Sequence, residues 1–579
     1  MKIIKLLLIF LFIIFTFSFT FTTSSDFNED LGRHIKLGEI ITSTKQVPKT
    51  NLFSYTNPDF PFINHHWLSE VIFYLSSQTF GNNSLIILKT ILIVSSILIV
   101  VYIGIKKAGY LPTLTTVLIF SPLLVNRLYI RPEMFGYFFF SALLYMLFFY
   151  KKHRKILFAI PFILLLWINL HISFVFGIFI AFIIFISIIS KEKKTIIHSP
   201  KLYLPFILAT FFILLNPNGI SGLFYPFQIF KNYGYEIVEN KNLFYLNNYG
   251  YYPHVKYFFF LTPISLISIF ILLAKRKLKE LVILLVFFIL AIYQLRHFPF
   301  FVLAAIPTIS IAVKEISFAI FNKIKKIKEY KYVIKIAYSI ILIILFIMLS
   351  ILFATNTYFN VFDINKRFGL GFNEDGKSAS KFVKKHKLSK QIFNGFNNGG
   401  YLVYSLYPDY KVFVDNRPEA YPSKFFTDIY TPLQTNEKLR DKVFKENNIN
   451  TVIFTYYDQT QWSKAFVEQM FKDNEFKLIY LDDYIIIFTK KTNLPDLKNN
   501  QKYFENLIEK EESYIALLKY LTLFSSLKME ELSEKAFLKA EDLNPESCTV
   551  KRIKYNWYSN SNLLFYQAKQ IKKNSWYCF

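Results

Sequence analysis

Near the N-terminus, the segment DFNEDLGRHIKLGE (Asp26 to Glu39) places three carboxylates, Asp26, Glu29 and Asp30, within five positions, and an imidazole, His34, four residues further on. A carboxylate there can act as a general base or hold a divalent cation. Asp30 is the leading catalytic candidate and the one position considered for a metal, with Glu29 and His34 as its partners. His34 lies one helical turn beyond Asp30, so both could face one substrate. The same acidic cluster also suits a helix N-cap on a solvated loop, and both readings stand.

Further polar groups sit where apolar stretches end. FSYTNPDFPFINHHWLSE (Phe53 to Glu70) supplies His65, His66 and Glu70; later come Arg127 with Arg131, Asn169 with His171, the turn NPNG (Asn216 to Gly219), and Arg296 with His297. Arg131 and Arg296 suit a phosphate, because guanidinium presents fixed donors to phosphate oxygens; interfacial anchoring is the alternative. His66, Glu70, His171 and His297 are expected on the substrate side. No H-x3-H pair occurs, so ordinary hydrogen-bonded or aromatic-packed histidines are the competing reading for each. Trp67 and Trp167 fall near span ends, where interfacial belts account for them.

Membrane spans must position these groups. The chain has 579 residues, 53% apolar and 18% charged, against the roughly 25% charged of an ordinary soluble domain, which excludes a single soluble globule. Eleven apolar stretches are predicted as spans, near 3–21, 86–105, 111–126, 134–150, 156–170, 172–190, 202–216, 257–274, 281–295, 298–313 and 334–354. Every second loop is basic: Lys2 and Lys5, Lys106 and Lys107, KKHRK (Lys151 to Lys155), KEKK (Lys191 to Lys194), KRKLK (Lys275 to Lys279) and Lys323 to Lys331. Short basic loops stay in the cytoplasm. The formal charge of +27 is then mostly topogenic, no nucleic-acid partner is expected, and an odd number of spans places the C-terminal half outside the cell membrane. The first span reads as an uncleaved anchor or a signal peptide; either leaves the loop 22–85 outside.

The expected domains are a polytopic membrane domain at 1–355, an extracytoplasmic α/β domain at 360–490 and a helical tail at 500–579. KVFVD (Lys411 to Asp415), TVIFTYY (Thr451 to Tyr457) and FKLIYLDDYIIIFTK (Phe476 to Lys490) read as strands, the last a hairpin turned at Asp482 and Asp483. Helices are predicted at 376–388, 434–447 and 462–473. Glu530 to Ser547 has tetratricopeptide-like spacing, with a plain helical hairpin as the alternative, and the tail is a candidate surface for a protein partner. GFNNGG (Gly395 to Gly400) lacks the ending of a phosphate-binding P-loop and reads as a structural turn, with carbohydrate contact as the other option. Cys548 and Cys578 could pair in an oxidising compartment.

The chain resembles bacterial polytopic glycosyltransferases of the GT-C type, related in architecture to mannosyltransferases and oligosaccharyltransferases. The resemblance rests on D-L-G-R-H-I-x-x-G-E (Asp30 to Glu39), Val47 to Thr56, H-H-W-L-S-E (His65 to Glu70), R-x-x-x-R-P (Arg127 to Pro132), W-I-N-L-H (Trp167 to His171), N-P-N-G and R-H-F-P (Arg296 to Pro299). The later segments F-N-G-F-N-N-G-G-Y-L (Phe393 to Leu402) and K-V-F-V-D-N-R-P-E-A-Y (Lys411 to Tyr421) extend it. It implies a sugar moved from a polyprenyl-phosphate donor to a glycan, lipid or protein acceptor on the extracytoplasmic face. A lipid-linked glycan transporter or flippase, and a non-catalytic envelope scaffold, are the rival classes. Transporters place charge at mid-membrane, whereas here the charges gather at span ends.

Overall fold

The computed structural model describes residues 2–191, 202–228, 233–249, 252–323, 330–373, 377–458, 460–490, 492–559 and 565–578. The basic runs expected at 192–194 and 324–329 lie outside them. The chain opens with α1 (Lys2–Thr20), continues through two helices of the first loop, α2 (Leu31–Thr44) and α3 (Trp67–Phe80), and enters the long α4 (Asn83–Ala108).

Among the described residues, five helices are long and apolar enough to cross a membrane: α1, α4, Pro253–Ala274, Leu295–Phe318 and Tyr332–Ala354. The eleven spans expected from the sequence are therefore not reproduced as eleven spanning helices. The apolar stretches near 111–126, 156–170 and 202–216 form helices of 11, 11 and 9 residues. At 1.5 Å per residue these reach about 14 to 16 Å, half of a bilayer core of about 30 Å. Proline supplies one reason, since Pro122 starts a separate turn after Phe120 and lacks the N–H a continuing helix needs.

Aromatic side chains lock the bundle. Phe15 of α1 meets Phe346 of the last long helix at 5.4 Å between ring centroids. The basic loops converge at one end, where Lys314 Nζ donates to the Lys107 carbonyl at 2.9 Å and Lys277 pairs with Glu315 at 3.7 Å. The acidic segment at 26–30 lies at the other end, with the C-terminal domain.

That domain holds a four-stranded sheet, β1 (Ile392–Asn394), β2 (Thr451–Thr455), β3 (Lys477–Leu481) and β4 (Ile485–Thr489), in the order β1-β2-β4-β3. β1 and β2 are parallel; the other pairs are antiparallel. The β3–β4 hairpin closes where Asp482 Oδ1 accepts the Tyr484 and Ile485 N–H groups at 2.9 and 2.7 Å. KVFVD is not a strand. It makes single bridges from Lys411 to Gln391 and from Val412 to Ser54. Side chains stand in for a ladder: Asn394 Oδ1 accepts the Phe413 N–H at 2.9 Å, and the Ser54 and Thr56 hydroxyls donate to the Phe413 carbonyl.

Among its described residues the tail holds five helices between Gln501 and Asn574, joined by short connections. It folds back onto the exit of the last long helix: Asn544 donates to the Asn360 carbonyl, and Asp363 accepts from the Ser547 hydroxyl and the Thr549 N–H. Cys548 and Cys578 form a disulfide.

Candidate active site

Close backbone approach fixes α2 between α3 and the C-terminal domain. A Cβ on Gly38 would lie 2.0 Å from the Glu70 carbonyl oxygen, so only glycine lets α2 and α3 touch there. A Cβ on Gly400 would lie 2.3 Å from the Glu29 carbonyl oxygen. The GFNNGG segment is thus the point where the Gly399–Leu406 helix abuts the acidic cluster.

The three carboxylates have different surroundings. Asp26, 2% exposed, accepts the Ile130 N–H at 2.5 Å and is consumed in holding the 126–132 loop. Asp30 is partnered rather than free: Oδ1 accepts from Asn416 Nδ2 at 2.7 Å and Arg33 at 3.4 Å, and Oδ2 stands 3.3 Å from Arg131 Nε. As N-cap of α2 its side chain caps no N–H; its carbonyl takes the His34 N–H instead. Glu29, whose side chain is 46% exposed, pairs with Arg131 and lines a cavity of about 800 Å³.

Arg131 and Arg296, the sequence candidates for phosphate, do come together, through a residue that the sequence reading missed. Glu239 accepts from Arg127 at 2.8 Å and lies 3.4 Å from Arg131 and 3.7 Å from Arg296. Burial alone would push its carboxyl up, yet Arg127, Arg131 and Arg296 hold it well below the usual carboxylate range. Glu239 and Arg127 line the same cavity as Glu29, together with Lys366, whose ammonium burial pulls down to about 8. A lone Glu on a loop between 57 and 112 positions from its arginines carries no local signal.

The loop bearing Glu239 is fastened to the C-terminal domain. Tyr235 stacks on Phe396 at 4.1 Å and meets Phe426 at 5.2 Å, while the Ser423 carbonyl lies 2.3 Å from where a Cβ on Gly234 would sit. Gly234 has a φ of +79°, which glycine adopts without strain.

A second cluster joins His34, Glu70, His66 and His171. Arg33 can only donate to His34 Nε2, at 3.4 Å, so His34 Nδ1 carries the hydrogen and donates to Glu70 at 3.0 Å. Asn64 donates to the other Glu70 oxygen at 2.6 Å. Burial raises fully buried Glu70 to about 7, against the pull of Arg33, and burial with the Arg33 charge keeps His34 well below its usual value. His66 stacks on His171 at 5.2 Å, and its Nδ1 is buried without a partner in the structure. His297 stands apart: it bonds the Leu290 carbonyl at 3.0 Å and packs against Phe176. Asp30 and His34 do not face each other as a pair; Arg33 lies between them, touching both.

The D-N-R turn explains how the C-terminal domain reaches Asp30. Arg417, 1% exposed, donates twice to Asp415, reaches Asn51 at 2.8 Å and lies between the rings of Phe53 and Phe62. With its neighbours so held, Asn416 donates to Asp30 and to the Glu29 carbonyl, and accepts from Arg33 Nε at 3.1 Å.

A divalent cation does not fit this arrangement of donors. Among the described residues no three His, Cys, Asp or Glu side chains converge for a metal, and the carboxylates of the cluster are occupied by Arg33, Arg131 and Asn416. A cation would need Arg131 to swing away from Glu29 and Asp30.

No protein-family profile matches the chain, and no curated protein matches it. Among solved structures it is similar in overall path to the archaeal oligosaccharyltransferase AglB from Archaeoglobus fulgidus in complex with an inhibitory peptide and a dolichol-phosphate, with a TM-score of 0.44, 11% identity, and coverage of 93% of this chain and 82% of that one. The same organism's oligosaccharyltransferase tethered to an acceptor peptide gives a TM-score of 0.43 at 13% identity, covering 81% of this chain and 70% of that one. Its complex with Zn and sulfate gives 0.43 at 12% identity, covering 88% and 81%.

Proposed function

We propose that the chain is a membrane glycosyltransferase of the GT-C type, which moves a sugar from a polyprenyl-phosphate-linked donor to a glycan, lipid or protein acceptor on the extracytoplasmic face of the cell membrane. One juxtaposition carries the reading: Glu29 and Asp30 stand against Arg131, and Arg131 shares Glu239 with Arg127 and Arg296, beside a cavity of about 800 Å³ at the ends of apolar helices. Transfer requires the acceptor to lose a proton while the bond from the anomeric carbon to the phosphate oxygen breaks and the lipid phosphate leaves with the electron pair. In this reading Glu29, the more open carboxylate, or Asp30 takes the proton. Arg131 and Arg296 meet the charge that grows on the leaving phosphate, while Glu70, His66 and His171 belong to the acceptor side.

The test is the purified chain reconstituted in vesicles with a radiolabelled polyprenyl-phosphate sugar. Label transferred from lipid to acceptor, and lost in Asp30→Asn or Glu29→Gln, supports the proposal. Intact lipid-linked sugar crossing the bilayer without cleavage would assign a transporter instead. A reporter active only outside the cytoplasm, fused after Phe579, checks the orientation; activity of a cytoplasm-only reporter at that position would overturn it.

A further inference from the structure

A second cavity, of about 1030 Å³, lies away from the acidic cluster, between the end of α2, the chain that follows it, and α3. Its floor is apolar, from Leu52, Val71 and Leu75, and its rim carries Lys45 and Lys49. No Asp or Glu is among its described lining residues, and neither lysine pairs with a described carboxylate. This sets it apart from the first cavity, where Glu29, Glu239 and Asp363 line the wall.

The second cavity also lies beside apolar helices. α3 ends three residues before the spanning helix α4 begins, with Leu75 46% and Phe80 77% exposed. Trp67, in the cavity wall, donates its indole N–H to Asn169 at 2.8 Å, next to the end of the apolar helix Ile160–Leu170. Two cations that no described carboxylate neutralises, over an apolar floor beside apolar helices, complement an amphiphile with a negative head and hydrocarbon chains.

We propose that this groove binds an anionic phospholipid of the host bilayer, with its phosphate against Lys45 and Lys49 and an acyl chain along Val71 and Leu75. The site is separate from the transfer reading, and either can fail without the other. Each lysine should be worth roughly fivefold in preference for an anionic over a zwitterionic lipid.

The test reconstitutes the full chain in vesicles containing phosphatidylglycerol or phosphatidylcholine with brominated acyl chains and reads tryptophan fluorescence. The chain has five tryptophans, so the Trp67 component is the difference between wild type and Trp67→Phe. The expected result is that brominated phosphatidylglycerol quenches that component more strongly, and that the double variant Lys45→Gln, Lys49→Gln loses the preference. Native mass spectrometry of lipid retained by wild type and by the lysine variant gives the same comparison without altering Trp67. Equal quenching by both lipids, or a preference that survives the loss of both lysines, would overturn the proposal. So would a Trp67 signal shifted by an acidic, apolar peptide yet quenched by neither lipid, which would assign the groove to a peptide segment.

Discussion

Asn416 donates its amide to the Asp30 carboxylate at 2.7 Å across 386 positions of sequence. One side chain from the C-terminal domain thereby sets the orientation of a carboxylate that begins α2. The neighbours of Asn416 are fixed by the buried Asp415–Arg417 pair, so placement and contact fall to different residues of one turn.

That division predicts opposite phenotypes for adjacent positions. Asn416→Ala should lower sugar transfer by about tenfold, since it releases Asp30, Arg33 and the Glu29 carbonyl without emptying a core, while the melting temperature in detergent stays near wild type. Arg417→Lys should do the reverse in stability. It loses the bidentate contact with Asp415, and breaking a buried pair costs about 3–5 kcal/mol. Limited proteolysis of the C-terminal domain checks it; equal resistance of Arg417→Lys and wild type would refute the assignment.

If Asp30 is the base, Asp30→Asn should lower transfer by roughly 100-fold or more, the usual loss when a general base is removed, and Glu29→Gln should cost less; if Glu29 is the base, the order reverses. Asp26→Asn should act mainly on stability, because Asp26 holds the Ile130 N–H. Rates from the reconstituted assay, set beside detergent melting curves, separate the cases. If Asp30→Asn and Glu29→Gln both kept the wild-type rate, neither carboxylate would be the base.

Glu239→Gln should destabilise the protein by about 1–3 kcal/mol. The loss of one partner from a buried charged network is larger, and the 28% exposure of the Glu239 side chain reduces it. Because its pKa is depressed in the folded state, the contribution is complete above a pH of about 4.5 and fades only as the pH falls through the lower folded value. Melting curves of wild type and Glu239→Gln should therefore run parallel from pH 5 to 8 and converge in stronger acid.

Glu70 has the opposite sign. Its carboxyl is raised to about 7 in the folded state, so folding takes up protons, and stability falls as the pH rises from about 4.5 to 7. Glu70→Gln should remove that slope and stabilise the protein at pH 8, by at most about 3 kcal/mol. A steeper loss of stability in the variant at high pH would show that the charged form is the one held.

The sequence announces some of this by local rules and is silent about the rest. The β3–β4 hairpin is readable because apolar runs flank Asp482 and Asp483, and the turn needs what Asp supplies. KVFVD has the same composition, yet its backbone is satisfied by Asn394, Ser54 and Thr56, and nothing near it foretells that. The acidic segment, Arg131 and Arg296 are recognisable by type, but Glu239 and Asn416 are single residues whose partners lie 108 and 386 positions away. For the short apolar stretches hydropathy registers their character and not where a proline such as Pro122 stops the helix.

The fastening of Gly234 and Tyr235 to the C-terminal domain turns geometry into charge. Three residues separate Tyr235 from Glu239, too few to absorb much movement, so a tilt of that domain away from the bundle would draw the carboxylate off Arg127, Arg131 and Arg296. Arg127, which lines the cavity, would then lose its nearest carboxylate, and the chamber wall would become more attractive for an anion while no residue inside it gained or lost a proton.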